Sequence, residues 1–580
     1  MKFIYIAIIT LFLSSCNSLL EEHPESFINP DTYFNNADQA LTAVNGVYGK
    51  MLHRINTPYM DLHLYKDLGT SVSGSKRSNE NLNLYTFTSN TGQFKNIYSG
   101  YFITIERANF AIDRISKMGD EVLNFTEEEK NRFIAEAKFL RAYSYFGLVR
   151  LFGAVPLNFK ESTSSDDFFI GRSSVREVYN EIIKDLEFGC EWLYFKNGSS
   201  LTPTYKSADL GRVTKGAAYG LLAKVYLTAA SCKRHSELND SWNLDINKYD
   251  WVNEDEYYTK AKEYAEKLVE FSNTGANVGL EDDYEAPFFY DNENGKESLF
   301  ELQLTDDNSQ RGFSCSTMSG IFGASNMPTS GKQKVNTANG FVESFIQSYT
   351  ADDLDYANSD PRMLISINVN KWAKSGQKLE NIVAPKDFSF VKFKSASPCY
   401  FEHGQNQVLL RYGDILLVLA EAYNELGDQV NAAKYVNIIR SRARNGSTIS
   451  ADMAAPIGVR YPVSLQPADV SETLTQAEMV DIIYQERKWE LCYEGQTRFD
   501  AVRMGRLVSE VQELKMYGKS GEDAKNYTYF QQCALGIQAK LDDTKKSPAA
   551  ENIVIHHNLF PIPYAEMNRN PGFKFQNPNY

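Results

Sequence analysis

The chain has 580 residues, of which 43% are hydrophobic, so it can bury a sizeable core and is too apolar to be disordered. Its formal net charge of −14 argues against a nucleic-acid partner, because such a partner requires a basic surface that neutralises phosphates. Aromatic residues make up 13% of the chain, with 35 Tyr and 35 Phe but only 5 Trp. Tyrosine suits a hydrated binding face, since its ring packs while its hydroxyl stays in water.

The N-terminus has the pattern of an export signal. A positively charged residue precedes an apolar run, Phe3 to Leu13, that is too short to cross a bilayer as a helix. The letters LSSC at residues 13–16 resemble a bacterial lipobox, in which the cysteine is acylated and becomes the mature N-terminus. We therefore predict a lipoprotein signal peptide over residues 1–15, lipidation of Cys16 and a tether over residues 16–35.

The remaining cysteines do not form a recognisable motif. None belongs to a C-x-x-C pair, so zinc ribbons and redox motifs are not supported. Export would permit disulfides, but the wide and irregular spacing favours buried free thiols, and no pairing is predicted.

Helical signals dominate the middle and later parts of the chain. Thr126 and Ser174 are each followed three residues later by Glu, which is the pattern of a capping box. The apolar stripes predict helices over residues 126–152, 175–192, 212–230, 257–271, 408–428 and 429–444. The last two span about 37 residues, close to the tetratricopeptide period of 34. Such helix pairs must stack to bury their apolar faces, so the pattern predicts a mainly α, degenerate helical-repeat scaffold.

The stretch EAKFLRAYSYFGLVRLFGAVPL, residues 136–157, is apolar on nearly every side. We expect other helices to surround it, with Arg141 and Arg150 paired to carboxylates or extended to the protein's edge. Residues 273–405 differ, being rich in Asn, Ser, Gly, Asp and aromatics, and residues 445–474 and 515–550 are further insertions. Long irregular segments of this kind often carry function.

Signatures of catalysis are missing from the sequence. It contains no G-x-S-x-G, H-E-x-x-H, phosphate-binding loop or dinucleotide fingerprint. His556 and His557 are adjacent, so in an extended segment they would point to opposite faces and not share a metal. The segment 291–297 departs from a calcium loop at two ligand positions, which leaves a structural calcium ion open but unspecified.

Three glutamates, Glu486, Glu490 and Glu494, are spaced four residues apart and would share one helix face. Glycosidase carboxylates flank the scissile bond from different sides, which one helix face does not provide. Interleaved Arg487, Arg498 and Arg503 favour an ion-pair network that holds helices together.

Five segments, in this order along the chain, resemble the SusD/RagB family of outer-membrane nutrient-binding lipoproteins. They are ITIERANFAIDRI (103–115), EAKFLRAYSYFGLVRLFGAVPL (136–157), LLRYGDILLVLAEAYNELG with NIIRSRAR (409–444), QERKWELCYEGQTRFDAVRMG (485–505) and FPIPYAEMNRNPGFKFQNPNY (560–580). The resemblance implies about four tetratricopeptide-like helix pairs with a large irregular loop-rich lobe, here about residues 273–405, within one domain over residues 36–580.

The resemblance also implies a function. Family members are lipid-anchored to the outer membrane, face the cell exterior, and present a captured oligosaccharide to a TonB-dependent, SusC-like β-barrel transporter. They are not enzymes. No cofactor is predicted for this chain, apart from the structural calcium ion left open above. Some members bind peptides, so a RagB-like peptide-uptake role is the main alternative, and a surface glycoside hydrolase is the second.

Ligand contacts in family members come from loops ahead of the I-x-x-A-N helix and from the middle insertion. These regions are residues 65–101 and 273–405 in this chain. Members often carry tryptophan where this chain has Tyr98, which weakens any inference that it shares the ligand of the starch-binding members. The predicted ligand-binding residues are Asp67, Arg77, Phe94, Tyr98, Tyr101, Tyr290, Phe322 and Trp372.

Overall fold

In a computed structural model, the described residues are 33–51, 69–75, 80–119, 125–160, 169–239, 243–304, 339–341, 406–445, 466–517 and 541–580, together with Asp67, Val122, Asp360, Pro361, Arg362, Ser366 and Lys392. The helices are α1 (Ala37–Met51), α2 (Glu80–Asn83), α3 (Gly92–Ser116), α4 (Glu127–Phe152), α5 (Val175–Trp192), α6 (Lys215–Arg234), α7 (Ser236–Asn239), α8 (Glu254–Asn273), α9 (Tyr412–Glu425), α10 (Gln429–Arg444), α11 (Gln476–Leu491), α12 (Thr497–Arg503), α13 (Leu507–Gln512), α14 (Pro548–Asn552) and α15 (Tyr564–Arg569). The strands are β1 (Ser73–Ser75), β2 (Ser298–Leu302), β3 (Asn339–Phe341), β4 (Gln407–Arg411), β5 (Lys515–Tyr517) and β6 (Leu541–Lys546).

The long helices stack side by side in chain order, as expected for a tetratricopeptide-like scaffold. Helix α3 packs on α4, α4 on α5, α5 on α6, α6 on α8 and α8 on α9, which then contacts α10 and α11. The mainly α, helical-repeat prediction is therefore confirmed.

Local capping signals explain where the predicted helices begin. Ser174 accepts a hydrogen bond from the Glu177 amide, and the Glu177 carboxylate accepts one from the Ser174 amide, completing a capping box. Thr126 accepts from the Glu129 amide only, so its box is half formed. The predictions for α4, α5 and α10 agree with the structure to within one residue.

Helix α4 is the most enclosed of these helices. From Arg132 to Phe152 nearly all of its side chains are buried, on every face, which confirms the expectation that other helices surround this stretch. Arg141 pairs with Asp185 through two hydrogen bonds of 2.7 and 2.8 Å, as predicted. The expectation for Arg150 is wrong, because its guanidinium lies between the Phe146 and Phe499 rings, 3.8 and 3.7 Å from their centroids.

One helix start was predicted wrongly. Residues 407–411, expected to open the helix over 408–428, form strand β4, which pairs antiparallel with β2. Both strands are buried along their whole length, so the apolar run carries no helical periodicity of its own. Helix α9 then begins at Tyr412.

Several predictions lie outside the described residues. They concern the signal peptide, Cys16, most of the tether, most of the insertion after residue 304, and large parts of 445–474 and 515–550. The division into signal peptide, tether and a single domain stays a prediction. Within the described ranges, no helix is both long enough and apolar enough to cross a membrane.

Candidate ligand-binding site

The glutamates of α11 belong to a buried ionic cluster, as predicted. Glu490 contacts Arg411 at 2.6 Å, Arg362 at 2.9 Å and also Arg442, and its side chain is fully buried. Glu486 contacts Arg362 and Arg440, each at 2.7 Å. These pairs hold helices and strands of the scaffold against one another.

The electrostatics of Glu490 also fit a structural role. Burial alone would raise the pKa of its carboxyl, but Arg442, Arg411 and Arg362 hold that pKa well below its usual value. A general acid needs the opposite shift, towards neutral pH. Glu490 therefore stays ionised, and its oxygens are taken up by guanidinium groups.

Two details of this cluster differ from the prediction. Helix α11 ends at Leu491, so Glu494 lies beyond the helix, where it contacts Arg411 at 2.6 Å and Lys392 at 2.5 Å. Arg498 pairs with no carboxylate among the described residues; it stacks on a phenylalanine ring and donates to the His557 carbonyl. The four-residue spacing of Glu486, Glu490 and Glu494 is compatible with one continuous helix, so it did not predict that α11 ends between Glu490 and Glu494.

The two regions predicted to contact ligand do meet in the structure. Strand β1, from the first region, pairs antiparallel with β3, from the middle insertion. The register places Gly74 opposite Gly340, and Ser73 opposite Phe341. We call this two-stranded sheet the loop junction.

Asp67 precedes strand β1 of the loop junction in the chain and is buried, with 1% of its surface exposed. Its carboxylate accepts hydrogen bonds from the backbone amides of Gly495, at 2.8 Å, and Thr497, at 3.2 Å. In this structure it therefore contacts the protein's own backbone. A direct contact between Asp67 and ligand stays a prediction that this burial disfavours.

Two predicted aromatic residues pack in the core. Phe94 is fully buried, with its ring centroid 4.6 Å from that of Phe560. Tyr101 is 1% exposed and lies over Gly147 of α4, where an added Cβ would come within 2.4 Å of the ring. Neither ring presents a face on which a sugar could stack, so their predicted contact with ligand has no geometric support.

The side chains of four further predicted residues lie outside the description. Arg77, Phe322 and Trp372 lie outside the described residues. Tyr290 begins a short 3₁₀ helix, Tyr290–Asn292, and the placement of its side chain is also outside the description. Their contact with ligand stays a prediction.

Tyr98 lines a surface groove, which we call the α3 groove. Its volume is about 530 Å³, within the range of small-ligand sites. Helix α3 forms one wall, and residues near 156–158, 170 and the C-terminal segment 566–573 complete it. The lining residues are Tyr98, Ser99, Phe102, Ile103, Glu106, Arg107, Phe110, Pro156, Asn158, Ile170, Glu566, Asn570 and Phe573.

The α3 groove combines aromatic rings with unpaired polar groups. The Tyr98 hydroxyl has no hydrogen-bond partner within the described ranges, and burial raises its pKa well above the usual value. Arg107 and Glu566 form no ion pair with any described residue. Rings with nearby donors and acceptors can stack on the apolar faces of a sugar and hydrogen-bond its hydroxyls.

Exposed aromatic side chains continue from the groove lining along the chain. Phe169 directly precedes Ile170 and is 44% exposed, while Tyr564 and Phe575 flank the C-terminal lining residues and are 52% and 62% exposed. Arg172 ties these segments together, donating to the Phe575 carbonyl at 3.2 Å and to Asn577 at 2.7 Å. Exposed rings mark an interaction surface where they form a contiguous patch.

Sequence reasoning missed the C-terminal wall of the groove. The segment 560–580 resembles a family motif in sequence, and it also contains Glu566, Asn570 and Phe573, which line the groove. Its proximity to α3 depends on long-range contacts, such as the Asn570 amide donating to the Ile170 carbonyl at 2.9 Å. Residues 400 positions apart leave no periodic signal that would predict such a contact.

The histidine pair was predicted in the wrong conformation. His556 and His557 lie in a 3₁₀ helix, Ile555–Asn558, with ring centroids 4.2 Å apart. Burial, His556 and Arg498 lower the pKa of His557 to about 3, and its Nδ1 accepts the Val554 amide. No group of potential metal ligands is found among the residues that the structure describes.

Comparison with known proteins identifies related chains along the full length. The model of the SusD family matches residues 388–580, and a second model, described as starch-binding associating with outer membrane, matches residues 20–227. The two matches together span more than half of the chain. SusD-like protein P2 of Formosa agariphila is 25% identical, with 99% of this chain and 98% of that protein covered.

Solved structures show the same fold. A SusD homolog from Bacteroides thetaiotaomicron has a TM-score of 0.72 at 22% identity, covering 95% of this chain and 98% of that one. A SusD-like carbohydrate binding protein from Bacteroides fragilis has a TM-score of 0.66 at 18% identity, covering 93% and 99%. At these identities the structural likeness establishes the fold alone.

Proposed function

The chain belongs to the SusD-like family, and from that premise we propose that it captures an oligosaccharide at the cell surface and delivers it to a SusC-like, TonB-dependent transporter. The family is one of glycan-binding proteins associated with the outer membrane, and its members are not catalysts. We propose the same absence of catalysis for this chain. The carboxylates of Glu486 and Glu490 in α11, and of Glu494 just beyond it, are buried in ion pairs and support that part of the proposal, because they leave no opposed acid pair there.

We propose the α3 groove as part of the glycan-binding surface. The observation that carries this assignment is its lining, in which the half-buried rings of Phe102 and Phe110 stand beside Arg107 and Glu566, which form no ion pair with any described residue. The rings of Tyr98 and Phe573 are buried and form the floor of the groove. Arg77, Tyr290, Phe322 and Trp372 of the two loop regions are proposed as further contacts. Ring contacts run from Phe87, in the segment before α3, through Phe94 and Phe560 to Phe152, which contacts Tyr98 beside the groove.

Lipid attachment at Cys16, an outward-facing position and docking on the transporter complete the proposal. The lipobox-like LSSC sequence supports the anchor. Two acyl chains on one N-terminus hold a protein at a membrane without any spanning helix.

The test is calorimetric titration of the soluble chain, beginning after Cys16, with plant, host and microbial oligosaccharides and with mixed peptides. Each sample is then analysed for cleavage. Saturable heat with a glycan and an intact product is expected. Heat with peptides alone would move the assignment to peptide uptake, and cleavage that an Asp or Glu variant abolishes would make the protein a glycosidase.

A further inference from the structure

The backbone between α11 and α12 is a helix break in an unusual conformation. Tyr493 and Gly495 both adopt left-handed conformations, with φ of +63° and +72°. For tyrosine this conformation is unfavourable, so surrounding contacts must stabilise it. The break also leaves carbonyls at the end of α11 and amides at the start of α12 without helical partners.

Lys392 of the middle insertion supplies part of the donors for the carbonyl side, and Arg411 and Tyr284 also donate to the Glu490 carbonyl, at 2.8 and 3.0 Å. Lys392 donates to the carbonyls of Glu490, at 2.8 Å, and Cys492, at 3.1 Å, as well as to the Glu494 carboxylate. Its side chain is 1% exposed. A cation at the end of α11 also complements the negative end of the helix dipole.

The first loop region supplies the acceptor for the amide side. The Asp67 carboxylate accepts from Gly495 and Thr497, so it caps α12 from elsewhere in the chain. Asp67 is followed closely by β1, and its carbonyl accepts a 2.6 Å hydrogen bond from the Thr70 hydroxyl. The same segment is held by Tyr85, whose hydroxyl donates to the Gly69 carbonyl.

From this arrangement we infer that Asp67 and Lys392 are positioning residues, which use the α11–α12 break as a shared anchor to hold the two ligand loops in register at the loop junction. Among the described contacts, one charged side chain ties each loop to the break, and β1 and β3 tie the loops to each other. The first loop is also held by Tyr85 and by Ser71, whose hydroxyl donates to the Glu510 carboxylate. Loss of either charged side chain should weaken the break and thereby loosen the other loop. Only the predicted changes in ligand affinity rest on the proposed function.

The first experiment measures amide exchange by mass spectrometry in the ligand-free protein. Asp67→Ala is expected to speed exchange in residues 491–497 and in its own loop, and Lys392→Met is expected to speed exchange in residues 69–75. Asp428→Ala is the control, since Asp428 caps α10 by accepting from the Asn431 amide at 3.0 Å. Unchanged exchange at 69–75 in Lys392→Met would overturn the inference, whatever the ligand is.

The second experiment measures affinity for the oligosaccharide identified by titration. Asp67→Ala should weaken binding about tenfold. Asp67→Asn should weaken binding less, because one acceptor oxygen remains. The control Asp428→Ala should bind with wild-type affinity. In the double variant that carries Asp67→Ala and Lys392→Met, the loss of binding free energy should be smaller than the sum of the two single losses. Both substitutions weaken the same anchor, so their effects overlap. Wild-type affinity in Asp67→Ala would overturn the inference while leaving glycan capture intact.

A third outcome separates positioning from direct contact. Weak binding by Asp67→Ala with unchanged amide exchange in residues 69–75 and 491–497 would make Asp67 a ligand contact, and the inference would be wrong. Absence of glycan binding by the wild type would instead count against the proposed function, and the exchange experiment would still decide the inference.

Discussion

Polar side chains have opposite environments in two regions, the ionic cluster around Glu490 and the α3 groove. In the cluster, carboxylates and guanidinium groups are buried and paired at 2.6 to 2.9 Å. In the groove, Arg107, Glu566 and the Tyr98 hydroxyl lack such partners within the described part of the chain, and rings surround them. Paired charges hold the scaffold together, whereas Arg107 and Glu566 in the open groove are available to a ligand; the Tyr98 hydroxyl is itself buried.

The largest predicted effect comes from breaking the cluster. Glu490→Gln should lower the free energy of unfolding by about 3–5 kcal/mol, because it leaves Arg362, Arg411 and Arg442 partly uncompensated in the interior. Urea unfolding followed by circular dichroism measures this change. Glu181→Gln, which removes only the exposed pair with Lys184, should be indistinguishable from wild type. Equal effects of the two substitutions would refute the contrast.

A second prediction concerns packing beside the groove helix. Gly147→Ala should cost about 1–3 kcal/mol, because its Cβ would lie 2.4 Å from the Tyr101 ring. Gly46→Ala in α1 is the matched control, since no heavy atom lies within 4 Å of its Cβ. That control should raise the free energy of unfolding by about 0.5–1 kcal/mol through helix propensity. Thermal unfolding of both variants tests the pair.

The cluster also predicts a dependence of stability on pH. The pKa of Glu490 is lower in the folded protein than its ordinary value of 4.5, so its contribution is present above pH 4.5 and is lost as the pH falls. Burial raises the pKa values of Asp360 and Glu301, so their contributions to the free energy of unfolding increase as the pH falls. The informative quantity is therefore the difference in unfolding free energy between wild type and Glu490→Gln, which should shrink below pH 4.5. A difference independent of pH would contradict this account.

The smallest effect is expected in the groove. Tyr98→Phe removes a buried hydroxyl that has no hydrogen-bond partner among the described residues, so it should raise the free energy of unfolding by about 1 kcal/mol. Chemical denaturation of this variant beside wild type measures the change. A loss of stability would show that the hydroxyl is satisfied in solution.

Periodicity and capping predicted the scaffold because these signals are local. Ser174 and Glu177 are three residues apart and fix where α5 begins, and the apolar stripe fixes its face. The sequence did not predict that α11 ends before Glu494 or that the segment from Val408 is a strand. Tertiary pairing decides both features, and local sequence does not. For the same reason, the sequence suggested Asp67 and Phe94 as ligand contacts, whereas long-range partners bury both.

The most direct test of the account compares two isoleucines with the same exposure. Ile103, in the α3 groove, is 38% exposed, and Ile438, on α10, is 37% exposed. Each is replaced by alanine, and affinity for the identified oligosaccharide is measured by calorimetry. The account predicts about three- to tenfold weaker binding for Ile103→Ala and wild-type binding for Ile438→Ala. Equal affinities for both variants would contradict the assignment of the α3 groove as a glycan-binding surface.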